Sequence, residues 1–243
     1  MSRRTTVNYF IRSTKLTQPV CLAVVADLHN DTYQDVLPLL HSVDAILIVG
    51  DLVSRHQKDQ SNALRFLQEA PQCAPTYYAI GNHERKLPDP EAWLNTARET
   101  DAVLLDNTCL NLNEEIVLGA FSSPVLGETP DARILQEMSA KPGFRLLMCH
   151  HPELFKSYVK PCDIDLTLAG HAHGGHWRLF GQGLYSPGQG LFPRLTRGLY
   201  EDDRLLVSMG MHNDAVIPRF NTPCELLLLH LMPEKERSDE DAE

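Results

Sequence analysis

Five short apolar runs in this chain each stop at a side chain able to ligate a metal ion, in most cases beside a glycine. Residues 20–26 stop at Asp27-Leu28-His29, residues 45–49 at Gly50-Asp51, and residues 76–80 at Gly81-Asn82-His83-Glu84. Residues 145–149 stop at His150-His151, and residues 165–169 at Gly170-His171-Ala172-His173-Gly174-Gly175. Brief apolar runs bounded by polar or glycine positions read as buried strands. Amphipathic segments lie between them, with helices expected over 33–41, 62–70, 91–99 and 132–139 and a shorter one over 152–158. Ser61 is the expected N-cap of the second helix, and Asp89-Pro90 and Pro130-Asp131 are the start signals of the third and fourth. Further strands are expected over 103–105, 115–118, 205–209 and 225–229. The alternation predicts an α/β fold with much parallel sheet in its first half. From Leu199 onward the strands follow without helices, which predicts an antiparallel addition.

Open α/β sheets bind ligands outside the carboxyl ends of their strands. Five strands therefore deliver Asp, Asn and His to one edge, and the chemistry explains those types. Two divalent ions about 3.5–4 Å apart clamp the attacking and leaving oxygens of a phosphoryl displacement. One carboxylate must bridge them and offset their repulsion, and Asp51, alone on its Gly-Asp turn, suits that place. The D-x-H spacing of Asp27 and His29 and the H-x-H spacing of His171 and His173 point each pair one way if the strands continue. Carboxylate and amide oxygens mixed with imidazoles suit Mn, Fe or Zn, with Co or Ca as alternatives, rather than a cysteine-type structural zinc.

Composition narrows the classes further. The 243 residues carry 22 Lys plus Arg against 32 Asp plus Glu, a formal net charge of -10, which argues against a nucleic-acid scaffold. An anionic substrate stays compatible, because bound cations invert the local field. The six cysteines form no C-x-x-C pair and read as free thiols of a reducing compartment. No apolar core follows the basic start, and runs such as 45–49 and 226–229 are too short to span a bilayer. The expectation is a cytoplasmic protein with one domain over 1–232 and a charged, solvated tail over 233–243.

The order D-x-H, G-D, G-N-H-E, lone H, G-H-x-H resembles the calcineurin-like metallophosphoesterases, and it spans Asp27 to His173. Downstream, Ala169 to Gly175, Gly198-Leu199-Tyr200, Val207-Ser208-Met209-Gly210 and Ile217-Pro218-Arg219-Phe220 are similar to the branch of the bacterial YkuE- and YaeI-type phosphohydrolases. The resemblance implies two mixed sheets packed face to face with helices outside, an αββα sandwich. It implies one ion on Asp27, His29, Asp51 and His173, and a second on Asp51, Asn82, His150 and His171. It also implies attack on phosphorus by a metal-bound hydroxide, with His83 protonating the leaving oxygen. Relatives often read G-D-x-x-D-R, where the second Asp supports the catalytic His. This chain has Ser54 at that place, followed by a matching Arg55 as candidate phosphate binder.

Other positions read as follows. His150, first after its strand, is the expected ligand, and His151 a residue of the rim or substrate. His176 and His212 are loop residues near the site. His41, His56 and His230 are solvated or packed, and Arg85 and Lys86 form a solvated pair. The function expected is hydrolysis of a small, water-soluble phosphate mono- or diester. The alternatives are a non-catalytic metal-binding scaffold of the same fold, or hydrolysis of a lipid or UDP-sugar pyrophosphate. The sequence points to no protein partner.

Overall fold

Every residue of Ala45–Val49 is buried, and its side chains alternate between two apolar layers. Ile46 and Ile48 enter one layer, while Ala45, Leu47 and Val49 enter the other. A strand covered on both faces has no polar side to show, so its sequence reads as one continuous apolar run. The computed structural model describes residues 4–125, 127–212 and 219–234. One sheet holds β1 (Thr5–Ser13), β2 (Val20–Val25), β3 (Ala45–Val49), β4 (Thr76–Ala79) and β5 (Val103–Leu105). The chain then enters a second sheet with β6 (Cys109–Asn111), β7 (Ile116–Ala120), β8 (Phe144–Met148) and β9 (Leu166–Ala169). Two small hairpins follow, pairing β10 (Arg178–Leu179) with β11 (Gln182–Gly183) and β12 (Tyr185–Ser186) with β13 (Gly190–Leu191). β14 (Gly198–Tyr200) and β15 (Leu205–Val207) complete the second sheet, and β16 (Glu225–Pro233) returns to the first.

The first sheet runs β1-β16-β2-β3-β4-β5 and the second β14-β15-β9-β8-β7-β6. Strands β2 to β5 are parallel neighbours, as are β7, β8, β9 and β15. Leu22, Val24, Leu47 and Leu229 of the first sheet share a core with Leu118, Leu146, Leu168 and Leu206 of the second, so the sheets pack face to face. Outside the first lie α1 (Leu37–Leu40), α2 (Ser61–Cys73) and α4 (Pro90–Arg98), whose Leu40, Phe66, Leu67 and Leu94 cover Ile46 and Ile48. The short α3 (Asn82–Arg85) precedes α4. Outside the second lies α5 (Arg133–Ser139), with Ile134, Leu135 and Met138 over Val117 and Leu147. This is the expected αββα arrangement.

Several local expectations are corrected. The helix over 33–41 shrinks to four residues that start at Leu37-Pro38, because proline suits a first turn but not an interior. Ser61 opens α2 rather than capping it, and the Asp59 carboxylate accepts from the Ser61 N–H at 3.0 Å. The segment 152–158 is instead a π-helical turn, Phe155–Val159. The Asp89 carboxylate does cap α4, accepting from Ala92 N at 3.0 Å. Strand β1 was not expected, although Val7, Tyr9 and Ile11 alternate inward. β14 does pair antiparallel with β15, but β15 joins β9 in parallel. β16 extends to Pro233, and Glu234 N donates to Ser13 O at 3.0 Å, so neither residue belongs to the solvated tail expected over 233–243. The remainder of that expected tail, 235–243, lies outside the described residues, as do Ile217 and Pro218. All six cysteines are free. No helix among the described residues is long and apolar enough to cross a membrane.

Candidate metal centre

The loops after β2, β3, β4, β8 and β9 converge at one end of the two sheets. The pleat does not aim these side chains, since both spaced pairs lie beyond their strands. Asp27, His29, Asp51, His171 and His173 all hold positive φ, between 47° and 64°. That region is uncommon for residues with a Cβ and costs free energy, so the surrounding fold must enforce it. Glycine makes the approach possible. A Cβ on Gly81 would lie 2.2 Å from Asp51 Oδ1, and one on Gly50, at φ +82°, would lie 2.9 Å from His150 Nδ1.

Asp51 is shared by two donor groups, one with His150 and His171 and one with His29 and His83, and His29 belongs as well to a group with Asp27 and His173; within each, one ligand atom per residue lies within 4.8 Å of its partners. Asp27 Oδ1 is 3.6 Å from both His29 Nε2 and His173 Nε2. Asp51 Oδ2 is 3.1 Å from His150 Nε2, 3.9 Å from His83 Nε2 and 4.0 Å from His29 Nε2. Two donors on one ion at bond lengths near 2.1 Å stand about 3.0–3.5 Å apart, so the closer spacings suit a shared cation.

Hydrogen bonds fix which nitrogen each ring offers. His150 Nδ1 donates to the Val49 carbonyl at 2.7 Å, which leaves Nε2 as the lone pair facing Asp51. The Arg55 N–H donates to His83 Nδ1 at 3.2 Å, so neutral His83 carries its proton on Nε2 and turns it toward the site. This backbone donor supplies an anchor for His83 in place of the acid that Ser54 replaces. The Ser54 Oγ instead accepts from His56 N at 3.4 Å. Burial drives His83 down to about 4. Burial would also depress His150, but Asp51 beside it raises that ring to about 10. Burial opposes ionisation of Asp51, yet His150 and His83 hold it well below the usual carboxylate range. Asp27 is likewise held down by His173 against the cost of burial. Two buried carboxylates thus draw positive charge into the site.

The donor set fits ions on a second ground. His29 Nδ1 and Asn82 Oδ1 are buried without a hydrogen-bond partner, an arrangement that costs about 1–3 kcal/mol per group unless something else satisfies it. One contact runs the other way. Arg219 Nη2 lies 3.1 Å from His173 Nδ1, and because guanidinium only donates, it favours the proton on Nε2. An ion at His173 Nε2 therefore requires that contact to open.

All seven expected ligands lie in this cluster, with His83 and Arg55 at its edge. Asp51, Asn82, His83 and Arg55 line a cavity of about 280 Å³, together with His29, His171 and His173. Asp27 and His150 lie beneath it, fully or almost fully buried. His176, His56 and Lys86 also line the cavity, which adds two residues that the sequence placed elsewhere. Arg85 is not half of a solvated pair, because it bonds Asp106 at 2.7 Å and the Ser123 carbonyl at 3.1 Å. His151 does not turn away from His150. Its ring lies 4.3 Å from that of His171, and its Nδ1 is 3.0 Å from Ser123 Oγ. The chain has already left β8 at Met148, so strand alternation no longer applies to these two histidines.

Sequence reading passed over Glu84. This fully buried carboxylate accepts from Asp51 N at 3.0 Å, Leu52 N at 2.8 Å, Gly81 N at 2.9 Å and Tyr78 Oη at 2.7 Å. It ties the Asp51 loop to the loop of Asn82 and His83. Its place three residues after Gly81, at the start of a short helix, was the available signal. Glu153 was also missed, and forms a fourth donor group with His151 and His171.

The family model of the calcineurin-like phosphoesterases matches residues 22–175. An uncharacterized metallophosphoesterase of Campylobacter jejuni is 31% identical over 203 residues, covering 81% of this chain and 52% of that protein. One from Helicobacter pylori strain J99 is 28% identical over 204 residues, with 80% and 52% covered. The chain thus spans about half the length of these curated relatives. Among solved structures, a sulfate thiohydrolase SoxB of Thermus thermophilus is similar at a TM-score of 0.48 and 11% identity, covering 77% of this chain and 50% of that one.

Proposed function

We propose, from the premise that this chain belongs to the calcineurin-like phosphoesterase family, that it hydrolyses phosphate mono- or diesters at a dinuclear centre. The observation that carries this reading is that Asp51 is shared by two donor groups. One ion would rest on Asp27, His29, Asp51 and His173, and the other on Asp51, Asn82, His150 and His171. The mixture of imidazole and oxygen donors favours Mn. When bound, the ions supply Lewis acidity and the means of making water nucleophilic near neutral pH.

The chain's own groups do the rest. Arg55 and Lys86, at the cavity mouth, attract and orient an anionic ester. His83, held by the Arg55 N–H, directs its Nε2 proton at the leaving oxygen. Burial keeps this ring neutral; the negative charge of a bound phosphate raises its affinity for a second proton, which Nδ1 takes as its contact with the Arg55 N–H opens, and the resulting imidazolium releases its Nε2 proton as the ester bond breaks. The oxygen that leaves takes that proton, and the displaced alcohol departs through the open cavity mouth. The test combines elemental analysis with hydrolysis of a chromogenic phosphodiester. We expect about two ions per chain, loss of activity on chelation and recovery with Mn. Full activity in exhaustively chelated protein refutes the reading.

A further inference from the structure

Beside the cavity mouth the chain makes its two small hairpins, and Leu184 joins them. The Leu184 N–H donates to the Trp177 carbonyl at 2.8 Å, and its own carbonyl accepts from Phe192 N at 2.9 Å. Tyr185 pairs across the second hairpin with Leu191. None of the apolar side chains here joins any of the three cores. Phe180 is wholly exposed, while Leu191 and Phe192 are 74% and 67% exposed; Leu179 and Tyr185 add 46% and 37%. Five large apolar residues open to water on one short segment mark a surface that meets something apolar.

The charges of the segment say what it meets. Between Asp165 and Glu201 there is no acidic residue and no lysine, but there are three arginines, Arg178, Arg194 and Arg197. The 32 acidic residues all lie elsewhere in the sequence; in space Glu153 comes up against Gly188 of the second hairpin, and Glu225 faces Arg178 and Arg197. Arg194 and Arg197 are exposed. Screening over about 8–10 Å at physiological salt lets these local cations outweigh the net charge of -10 at close range. Protruding apolar tips on a segment whose only formal charges are arginines suit a bilayer, whose acyl boundary takes them without matching their shape and whose phosphates meet the cations. A protein partner would need a separate pocket for each tip, together with an acidic rim.

We propose that the two hairpins between Arg178 and Leu191, with the following Phe192 and Arg194, dock the protein on the surface of a phospholipid bilayer containing anionic lipid. Tyr185 and Pro187 of the second hairpin also line the catalytic cavity, so docking sets the cavity mouth beside the headgroups. The inference goes beyond the phosphoesterase reading and does not depend on it, since attachment needs no hydrolysis. It also gives an acidic chain a route to membranes that its net charge of -10 does not suggest.

The test is flotation of the whole protein with vesicles of phosphatidylcholine alone or mixed with phosphatidylglycerol. Wild type is expected to float with the mixed vesicles and less with the neutral ones. Removing both phenylalanines, Phe180→Asp with Phe192→Asp, is expected to weaken partitioning at least about tenfold, given what burial of one such ring contributes. Replacing Arg194 and Arg197 by glutamine is expected to cost about fivefold per residue on mixed vesicles and little on neutral ones. Thermal melts matched to wild type certify the fold of both variants. Wild type that stays with the soluble fraction in mixed vesicles overturns the proposal and leaves this face to a protein partner. Equal flotation of wild type and the phenylalanine variant overturns it too.

Discussion

Replacing Glu84 tests whether one buried carboxylate holds the centre together. Glu84→Ala strips the partner from five donors, Asp51 N, Leu52 N, Val53 N, Gly81 N and Tyr78 Oη. A buried unsatisfied donor costs about 1–3 kcal/mol, so the sum is about 5–15 kcal/mol before water refills the space. That rivals the whole stability of a typical domain, about 5–15 kcal/mol. Glu84→Gln keeps the volume and one oxygen, but its amide must face at least one N–H, at about 1–3 kcal/mol. At about 2–4 °C per kcal/mol for a chain of this size, the Gln variant should melt about 2–12 °C below wild type. The Ala variant should melt lower still or fail to fold. Thermal unfolding followed by circular dichroism reads both, and elemental analysis of the Gln variant reads whether Asp51 still binds ions. An Ala variant that melts within about 2 °C of wild type, or above the Gln variant, refutes the argument.

Three further expectations concern the chemistry. His83→Ala should lower kcat by about 10²–10⁴-fold with metal content unchanged, and less for aryl than for alkyl esters, because a good leaving group needs little protonation; loss of metal would make His83 a ligand. His150→Ala should reduce metal content to about one ion per chain, since it removes a nitrogen turned on Asp51, while His151→Ala should leave both ions in place; elemental analysis of the pair decides. Gly81→Ala should disable the site, because its Cβ would lie 2.2 Å from Asp51 Oδ1; a variant with native metal content and activity would show that the loop can yield.

The site was legible because ligand chemistry restricts residue types more tightly than a fold does. Asp27, His29, Asp51, Asn82, His150, His171 and His173 each follow an apolar run, and a strand's carboxyl end is where such groups can meet. Burial on both faces made β3 and β9 readable for a related reason, since every side chain in them is apolar or small. Edge strand β1 escaped because half of it faces water, and an alternating signal of three residues is weak. The helix over 33–41 failed because apolar spacing there records packing, with Tyr33, Val36 and Leu40 all buried, rather than backbone conformation.

Direction and partnership were left to the tertiary structure. The pleat rule aimed Asp27 with His29 and His171 with His173, yet these residues sit past their strands, where positive φ and neighbouring loops decide. Glu84 reads in sequence as one more acid, and only the meeting of two loops makes it the acceptor of five buried donors. The exposure of the hairpin phenylalanines was hidden for the same reason, because apolarity in a sequence does not tell which surface will cover it. Thus the sequence by itself determined which atoms are available for chemistry, through the residue types at strand ends. Only the fold decided where those atoms point and what stays open to a partner, because both depend on contacts between segments distant in the chain.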